Sequence, residues 1–534
     1  MKRTYIYVLL VSVLVTSCFK DLGNYEYKDV EEFEVSGLQE SYDVFTSENL
    51  VIEPVVTPQT GEYEYEWILT EYRTGQYQTE EYAVVLSREK VLDVPFRYST
   101  GEYELHLKVT SKFSGDAEYV RIAINAITPY TNACYVLYEM ADGNSEVDIH
   151  YQETAPTFKA VKEFAGASLK GKPKYLSYLP SFAYLDEDAG AKVFNTLIVP
   201  ASEQTMVAFN TTDMSIAREP SQWFYEDYDV NNIKSIASFG CAVTMFCDTG
   251  LHTSQQLTPG TPMTGKFSAI PDVIPGVTAC EVSSNICFYG NYLFFYDNNH
   301  ERFMCLDYNC QPTVRTLQTP SPVPGEEPLP ETIQGDVIFI GGLAPQGVID
   351  YKFMDYMIIV SEQADGQRNW YYVKMDKASD GKLNAMLLAK KGVFEKGTPF
   401  AEASIYTSSR NGANYLYAVH DNKFYAMNPN SPDQLIELSF VSQPEGEVTY
   451  FQTMFEVTKE APSESDYNCF AIASYSGGKY TVALYDMLGG IPTKAAPFKK
   501  FEGEGKVKTI QLASQTRGPG VMGMHSKTLY SIHY

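Results

Sequence analysis

Alternation of apolar and polar positions dominates the chain. In Gly101-Glu-Tyr-Glu-Leu-His-Leu-Lys-Val109, Tyr103, Leu105, Leu107 and Val109 fall on one face, and Glu102, Glu104, His106 and Lys108 on the other. A period of two belongs to a strand with one buried face. Further runs lie at Leu50–Val56, Tyr63–Leu69, Tyr82–Leu86 and Tyr119–Ile127, and seven or so short strands in about a hundred residues suit an immunoglobulin-like sandwich. Tyr65 and Trp67 share a face of a middle strand, which predicts a core anchor rather than a ligand platform. His106, on the polar face, is expected to meet solvent.

From residue 133 to 534 a different pattern repeats: an apolar strand, a short polar turn and an aromatic-rich strand. The copies are Cys134–Tyr138 with Val147–Tyr151, Thr196–Val199 with Met206–Phe209, Ala242–Phe246 with its following turn, and Tyr292–Tyr296 with Phe303–Leu306. They continue with Tyr356–Val360 and Trp370–Val373, Tyr415–Val419 and Phe424–Met427, Cys469–Ala473 and Tyr480–Leu484, and Val521–Met524 and Leu529–Ile532. Eight hairpins starting roughly 55 residues apart have the period of a β-propeller, whose blades each need a neighbour to cover them. The expectation is an all-β chain: a sandwich followed by a seven- or eight-bladed β-propeller, with a long stack of two sandwiches as the rival. Prolines exclude Thr319–Pro330 from a strand interior and make it a loop between hairpins. Asp365-Gly366 supplies a hairpin turn.

The first residues carry another signal. Lys2 and Arg3 precede an apolar run from Tyr5 to Val15, eleven residues long and far short of the ~20 a membrane-spanning helix needs. Val15-Thr-Ser-Cys18 then reads as a lipobox, with Cys18 the lipidated residue. Residues 1–17 are thus expected to be a lipoprotein signal peptide and 18–29 a lipidated tether. The protein would be anchored to a membrane by lipid rather than spanning it.

Composition narrows the chemistry. The net charge of −26 argues against nucleic acid and anionic headgroups as partners. The eight cysteines after Cys18 lack CxxC spacing and most sit in apolar runs, so buried thiols are expected and no metal or cofactor site is assigned. A Gly-x-Ser-x-Gly elbow, phosphate-binding glycine patterns and HExxH are absent from the sequence. Asp186-Glu-Asp188 and Asp227-Tyr-Asp229-Val-Asn-Asn232 cluster oxygen ligands without the calcium-loop series, and solvated turns are the favoured reading. The candidate ligand-binding aromatics are Trp223, Tyr225 and Tyr228, in the cluster Trp223-Phe-Tyr-Glu-Asp-Tyr228, and Trp370. Blade packing is the competing assignment for each.

Cys18-Phe-Lys-Asp-Leu-Gly-Asn-Tyr-Glu-Tyr27 resembles the mature start of the PKD-like family lipoproteins of Bacteroidota. The strand Gly101–Val109 and the Tyr65-x-Trp67 pair are similar to the PKD fold, so 30–128 becomes a PKD-like sandwich and 133–534 the propeller. The resemblance implies an accessory lipoprotein beside a TonB-dependent transporter and its SusD-like partner, a SusC/SusD-like uptake system. It implies an outer-membrane, cell-surface position, with the periplasmic face as alternative, and capture of nutrient polysaccharide or peptide. The expected function is non-catalytic. A propeller hydrolase or lyase and a purely structural scaffold are the rivals.

Overall fold

The computed structural model describes residues 32–512 apart from internal stretches, the longest being 256–263, 273–281, 317–326, 344–355 and 455–468. The lipobox, Cys18 and the tether lie outside the described residues.

The N-terminal strands build a sandwich. Its larger sheet runs in the order Ser41–Phe45, Ala117–Ile127, Gly101–Ser111, Tyr63–Thr74, Thr79–Ser87, with the first pair parallel. Two short pairs, Asn49–Ile52 with Leu92–Pro95 and Glu34–Ser36 with Val55–Thr57, add Leu50, Ile52, Val56 and Leu92 to the same core. The expected strand Leu50–Val56 is broken in two at Glu53-Pro54, because proline has no N–H to donate to a ladder. Trp67 is wholly buried and its indole N–H donates to the Glu89 carbonyl at 3.0 Å. His106 lies on the outer face, 2.7 Å from the Glu104 carboxylate.

Among the described residues the remaining strands form a propeller of seven blades. Blade one contains Ala133–Glu139 and Ser145–Tyr151, blade two starts at Pro173–Asp186, blade three at Ile233–Phe239 and blade four at Val282–Tyr289. Blades five, six and seven start at Asp336–Leu343, Ile405–Ser408 and Glu447–Met454. Within every blade the hairpin legible in the sequence is the second and third strand. Closure comes from the far end: Lys506–Leu512 pairs antiparallel with Ala133–Glu139 and becomes the inner strand of blade one. It lies beside the inner strands of blades two and seven, so the ring returns to its start, which rules out the stack of two sandwiches. The eighth predicted hairpin, 521–532, lies outside the described residues.

Side chains from facing blades fill the spaces between them. Blades one and two share Leu137, Ile149, Leu176 and Phe209; blades six and seven share Tyr417, Phe424, Phe451 and Phe470. A fully buried Leu, Ile or Phe contributes roughly 1.5–3 kcal/mol relative to exposure, and neither face of a lone blade could collect it. Cys134, Cys247 and Cys469 are free buried thiols in this packing, and burial pushes the first two up to about 12. The proline-rich segment re-enters the described structure at Glu327 as an added edge on blade five, where the Leu329 N–H donates to the Met386 carbonyl. Residues 317–326 lie outside the described set. The Asp365-Gly366 turn forms with Gly366 at φ 78°. Between sandwich and propeller, the Phe45 ring meets Tyr151 edge-on at 5.8 Å, and the Thr128 hydroxyl donates to the Thr211 carbonyl.

Candidate functional site

The aromatic cluster 223–228 lies in the loop between blades two and three. Outer-strand Ile216–Arg218 of blade two leads into a 3-10 turn, Pro220–Gln222, closed by Glu219 and Gln222 in a reciprocal capping box. A second turn, Val230–Asn232, is capped by the Asp229 carboxylate, which accepts the Asn231 N–H. Asp229 is therefore engaged with its own backbone, as in a solvated acidic turn. Asp186 ends the first strand of blade two, and residues 187–190 lie outside the described set.

Arg218 organises this loop. Its guanidinium is buried over the rings of Tyr184 at 5.1 Å and of Phe182 and Trp223, each at 5.7 Å, and donates to the carbonyls of Gln222 and Thr264. The segment beginning at Thr264 is thereby clamped against 223–225. The Phe267 N–H donates to the Trp223 carbonyl at 2.7 Å, and the Tyr225 N–H to the Phe267 carbonyl at 3.0 Å. Close approach requires Gly265: at φ 69°, a Cβ there would stand 2.6 Å from Arg218 Nη2 and 2.9 Å from the Ala183 carbonyl.

This packing sorts the four candidate aromatics. Trp223 is 0 % exposed, with its faces against Phe182, Phe267 and Arg218, so it is a core residue and no ligand platform. Trp370 is 4 % exposed between blades five and six, packed on Gly392 and Phe394, which removes it in the same way. Tyr228 is half-buried, stacked on Phe224 at 4.0 Å, with its hydroxyl against Thr249 at 2.7 Å. His252 Nδ1 bonds the Ser268 carbonyl, leaving Nε2 to accept from Thr249 or Tyr228. Tyr225 alone of the four keeps an open ring, 57 % exposed, its hydroxyl tied to Thr264 Oγ1. Beside it stand exposed Glu226, which accepts the Ala269 N–H, and exposed Asp227. Exposed Leu185 and Ile270 border the same segment. The arrangement offers one exposed flat ring, followed in the chain by two exposed carboxylates, on a segment pinned by the Arg218 clamp.

A second polar cluster sits between blades seven and one. Glu146, Asp148 and His150 project from one face of Ser145–Tyr151, all buried. The Glu146 carboxylate accepts the N–H groups of Val161 and Lys162, holding the start of helix Ala160–Ala165. Asp148 Oδ1 accepts from the Tyr138 hydroxyl at 3.0 Å and the Lys159 N–H at 2.8 Å, and Oδ2 accepts from the Tyr480 hydroxyl at 2.6 Å. Tyr480 also meets His150 Nε2 at 2.9 Å. Phe158 and Phe501 cover His150. Neither Arg218 nor this cluster was visible as a site in the sequence: Arg218 meets Tyr184 and Thr264 from distant segments, and Glu146, Asp148 and His150 alternate on one strand as a polar face would, their link to Tyr480 of blade seven showing only in the fold.

Comparison with known proteins adds one assignment. The PKD-like family matches residues 18–173, which takes in the whole sandwich, blade one's N-terminal hairpin and the helix after it. The sandwich is a PKD-like domain. No curated protein matches the chain. Among solved structures, a quinoprotein alcohol dehydrogenase-like protein from Bacteroides thetaiotaomicron is 12 % identical over 89 % of this chain and 97 % of that one, with a TM-score of 0.38. The WD40 domain of Toxoplasma gondii coronin is 9 % identical over 69 % of this chain and 83 % of that one, with a TM-score of 0.34. PorZ of Porphyromonas gingivalis, a surface component of its type IX secretion system, is 11 % identical over 75 % of this chain and 51 % of that one, with a TM-score of 0.22. At such scores the strand topology, and not the likeness, carries the fold.

Proposed function

We propose that this protein is a lipid-anchored accessory lipoprotein of the outer membrane that binds a nutrient polysaccharide or peptide without chemically altering it. In this reading Cys18 carries the lipid, the PKD-like domain is the spacer, and the propeller presents the binding surface to a SusC/SusD-like uptake complex. The lipobox and the Cys18–Tyr27 sequence support the anchor. The Tyr225 ring is the observation that carries the binding role. A flat phenol face beside Glu226 and Asp227 suits the C–H-rich face and hydroxyls of a sugar.

Two measurements test it. Affinity electrophoresis against a glycan panel is expected to retard the wild type and not Tyr225→Ala; release of shortened products on the same panel would instead favour a hydrolase or lyase. Membrane fractionation is expected to lose the protein when Cys18 becomes Ser, and continued membrane association of that variant would overturn the anchor.

A further inference from the structure

Asp148 and His150 of blade one and Tyr480 of blade seven form a hydrogen-bonded line across the seam where the ring closes. Oδ1 of Asp148 is saturated by Tyr138 and the Lys159 N–H, whereas Oδ2 faces only the Tyr480 hydroxyl. A phenol oxygen both donates and accepts, so the line has two complete arrangements. With Asp148 ionised, Tyr480 donates to Oδ2 and His150 donates Nε2–H to Tyr480. With Asp148 protonated, Oδ2 donates to Tyr480, Tyr480 donates to Nε2, and the imidazole proton sits on Nδ1. Both arrangements keep both bonds, and His150 is neutral in each.

We propose that this line is a proton-balanced clasp, which holds the first and last blades together in either arrangement and stores a proton taken up at the seam on Asp148 rather than on His150. Conversion balances without further reactants. A solvent proton binds Nδ1, Nε2–H passes to the Tyr480 oxygen, and the former Tyr480 hydroxyl proton passes to Oδ2. The line changes from charge −1 to neutral.

The surroundings favour these states. Tyr138 lies on the second strand of blade one and Glu146 beside Asp148 on the third, its carboxylate occupied by the helix. Lys159, before that helix, pairs with Glu504 on the outer strand of blade seven at 3.0 Å. Lys499 of that strand lies over Phe501 and, after burial, disfavours an imidazolium at His150. Cys134 and Cys469, buried in the same seam, are neutral thiols. Burial lifts the Asp148 carboxyl from 3.8 to about 6, against the donated bonds from Tyr480, Lys159 and Tyr138, and lowers His150 from 6.5 to about 4.

The signs oppose. The raised Asp148 value means the folded chain takes the proton first, so acidification from about 6 to 3.8 stabilises it. The lowered His150 value means the unfolded chain takes the proton first, so acidification from 6.5 to about 4 destabilises the fold. Between pH 4 and 6 each state holds one proton on this pair, and the two effects cancel.

Urea unfolding of the full chain from pH 4 to 6.5 tests the clasp, each variant read as its difference from wild type at the same pH. Asp148→Asn leaves His150 uncompensated and is expected to weaken relative to wild type on acidification, by up to about tenfold in the unfolding constant per pH unit, the slope of one proton. His150→Gln is expected to strengthen relative to wild type over the same range. Differences that are flat, or of one sign, would overturn the proposal. The wild type supplies an independent readout. Side-chain nitrogen NMR is expected to show one histidine exchanging its Nε2–H for an Nδ1–H tautomer near pH 6 without becoming imidazolium, a change abolished in Tyr480→Phe. The absence of any such tautomer change from pH 7 to 5, or an imidazolium at the histidine that Tyr480→Phe perturbs, would overturn it.

Discussion

Between blades two and three the buried charge is a guanidinium; between blades seven and one it is a carboxylate. Arg218 is met by the carbonyls of Gln222 and Thr264 and by three ring faces, and a guanidinium keeps its charge throughout the physiological range. Asp148 is met by two phenols, one of which also meets an imidazole. The first seam is a fixed clamp that sets a loop rigidly enough to present Tyr225. The second joins chain segments more than three hundred residues apart, His150 to Tyr480, through groups whose protons can move. A propeller thus uses an unvarying charge where it displays a surface and a compensated one where it must stay shut.

The contrast breaks most severely at Trp223. Truncation to Ala empties a fully buried volume beneath Arg218 and is expected to cost about 3–5 kcal/mol in denaturant unfolding. The loss should be equal at pH 5 and pH 7, since Phe182, Phe267 and Arg218, which pack on that ring, keep their charge states between them. A loss below 1 kcal/mol would mean that the indole is not the bed of the loop.

Gly265→Ala attacks the same clamp by overfilling. The new Cβ meets Arg218 Nη2, Tyr184 and the Ala183 carbonyl, at a φ that side chains avoid. About 2–3 kcal/mol of destabilisation is expected. Because the clamp orders the loop, Tyr225 should gain mobility, which fluorine NMR of labelled tyrosine would register.

Tyr480→Phe removes one oxygen from the other seam. Asp148 Oδ2 and His150 Nε2 are left buried without their shared partner, at a cost of about 1–2 kcal/mol at pH 7. Unlike the Trp223 loss, this one should vary between pH 7 and 5, because the two groups can no longer exchange roles through the hydroxyl. Equal losses at both values would erase the distinction between the seams.

The sequence made the blades legible because each central hairpin is apolar on both strands, buried by a neighbour on either face, and ended by turn residues such as Asp365-Gly366. Strands at blade margins were harder to see. Lys506–Leu512 closes the ring, yet its Lys-Val-Lys-Thr-Ile-Gln-Leu pattern alternates like any half-exposed strand. The aromatic loop was found as a composition but not resolved into its parts: Trp223 and Tyr225 are two residues apart, yet the first is wholly buried against Arg218 and the second is open to solvent. Arg218 itself gave no local sign, since its partners Tyr184, Trp223 and Thr264 are drawn from three separate segments. Trp370 read as a turn-proximal aromatic because nothing in its neighbourhood announces Gly392 across the strand, whose missing side chain makes room for the indole.

The mildest substitution bears most on function. Tyr225→Ala removes a ring that is more than half exposed and whose hydroxyl reaches only a threonine on the adjoining segment. Its unfolding free energy is expected to stay within about 0.5 kcal/mol of wild type, as for surface changes generally. Retention on a glycan that slows the wild type should nevertheless disappear, because one aromatic face supplies the apolar part of the contact. Tyr225→Phe separates ring from hydroxyl: it loses the tie to Thr264 but keeps the face, and should retain most of the retardation. If Tyr225→Ala binds as the wild type does while remaining equally stable, the exposed ring is incidental, and the ligand surface lies elsewhere on the propeller.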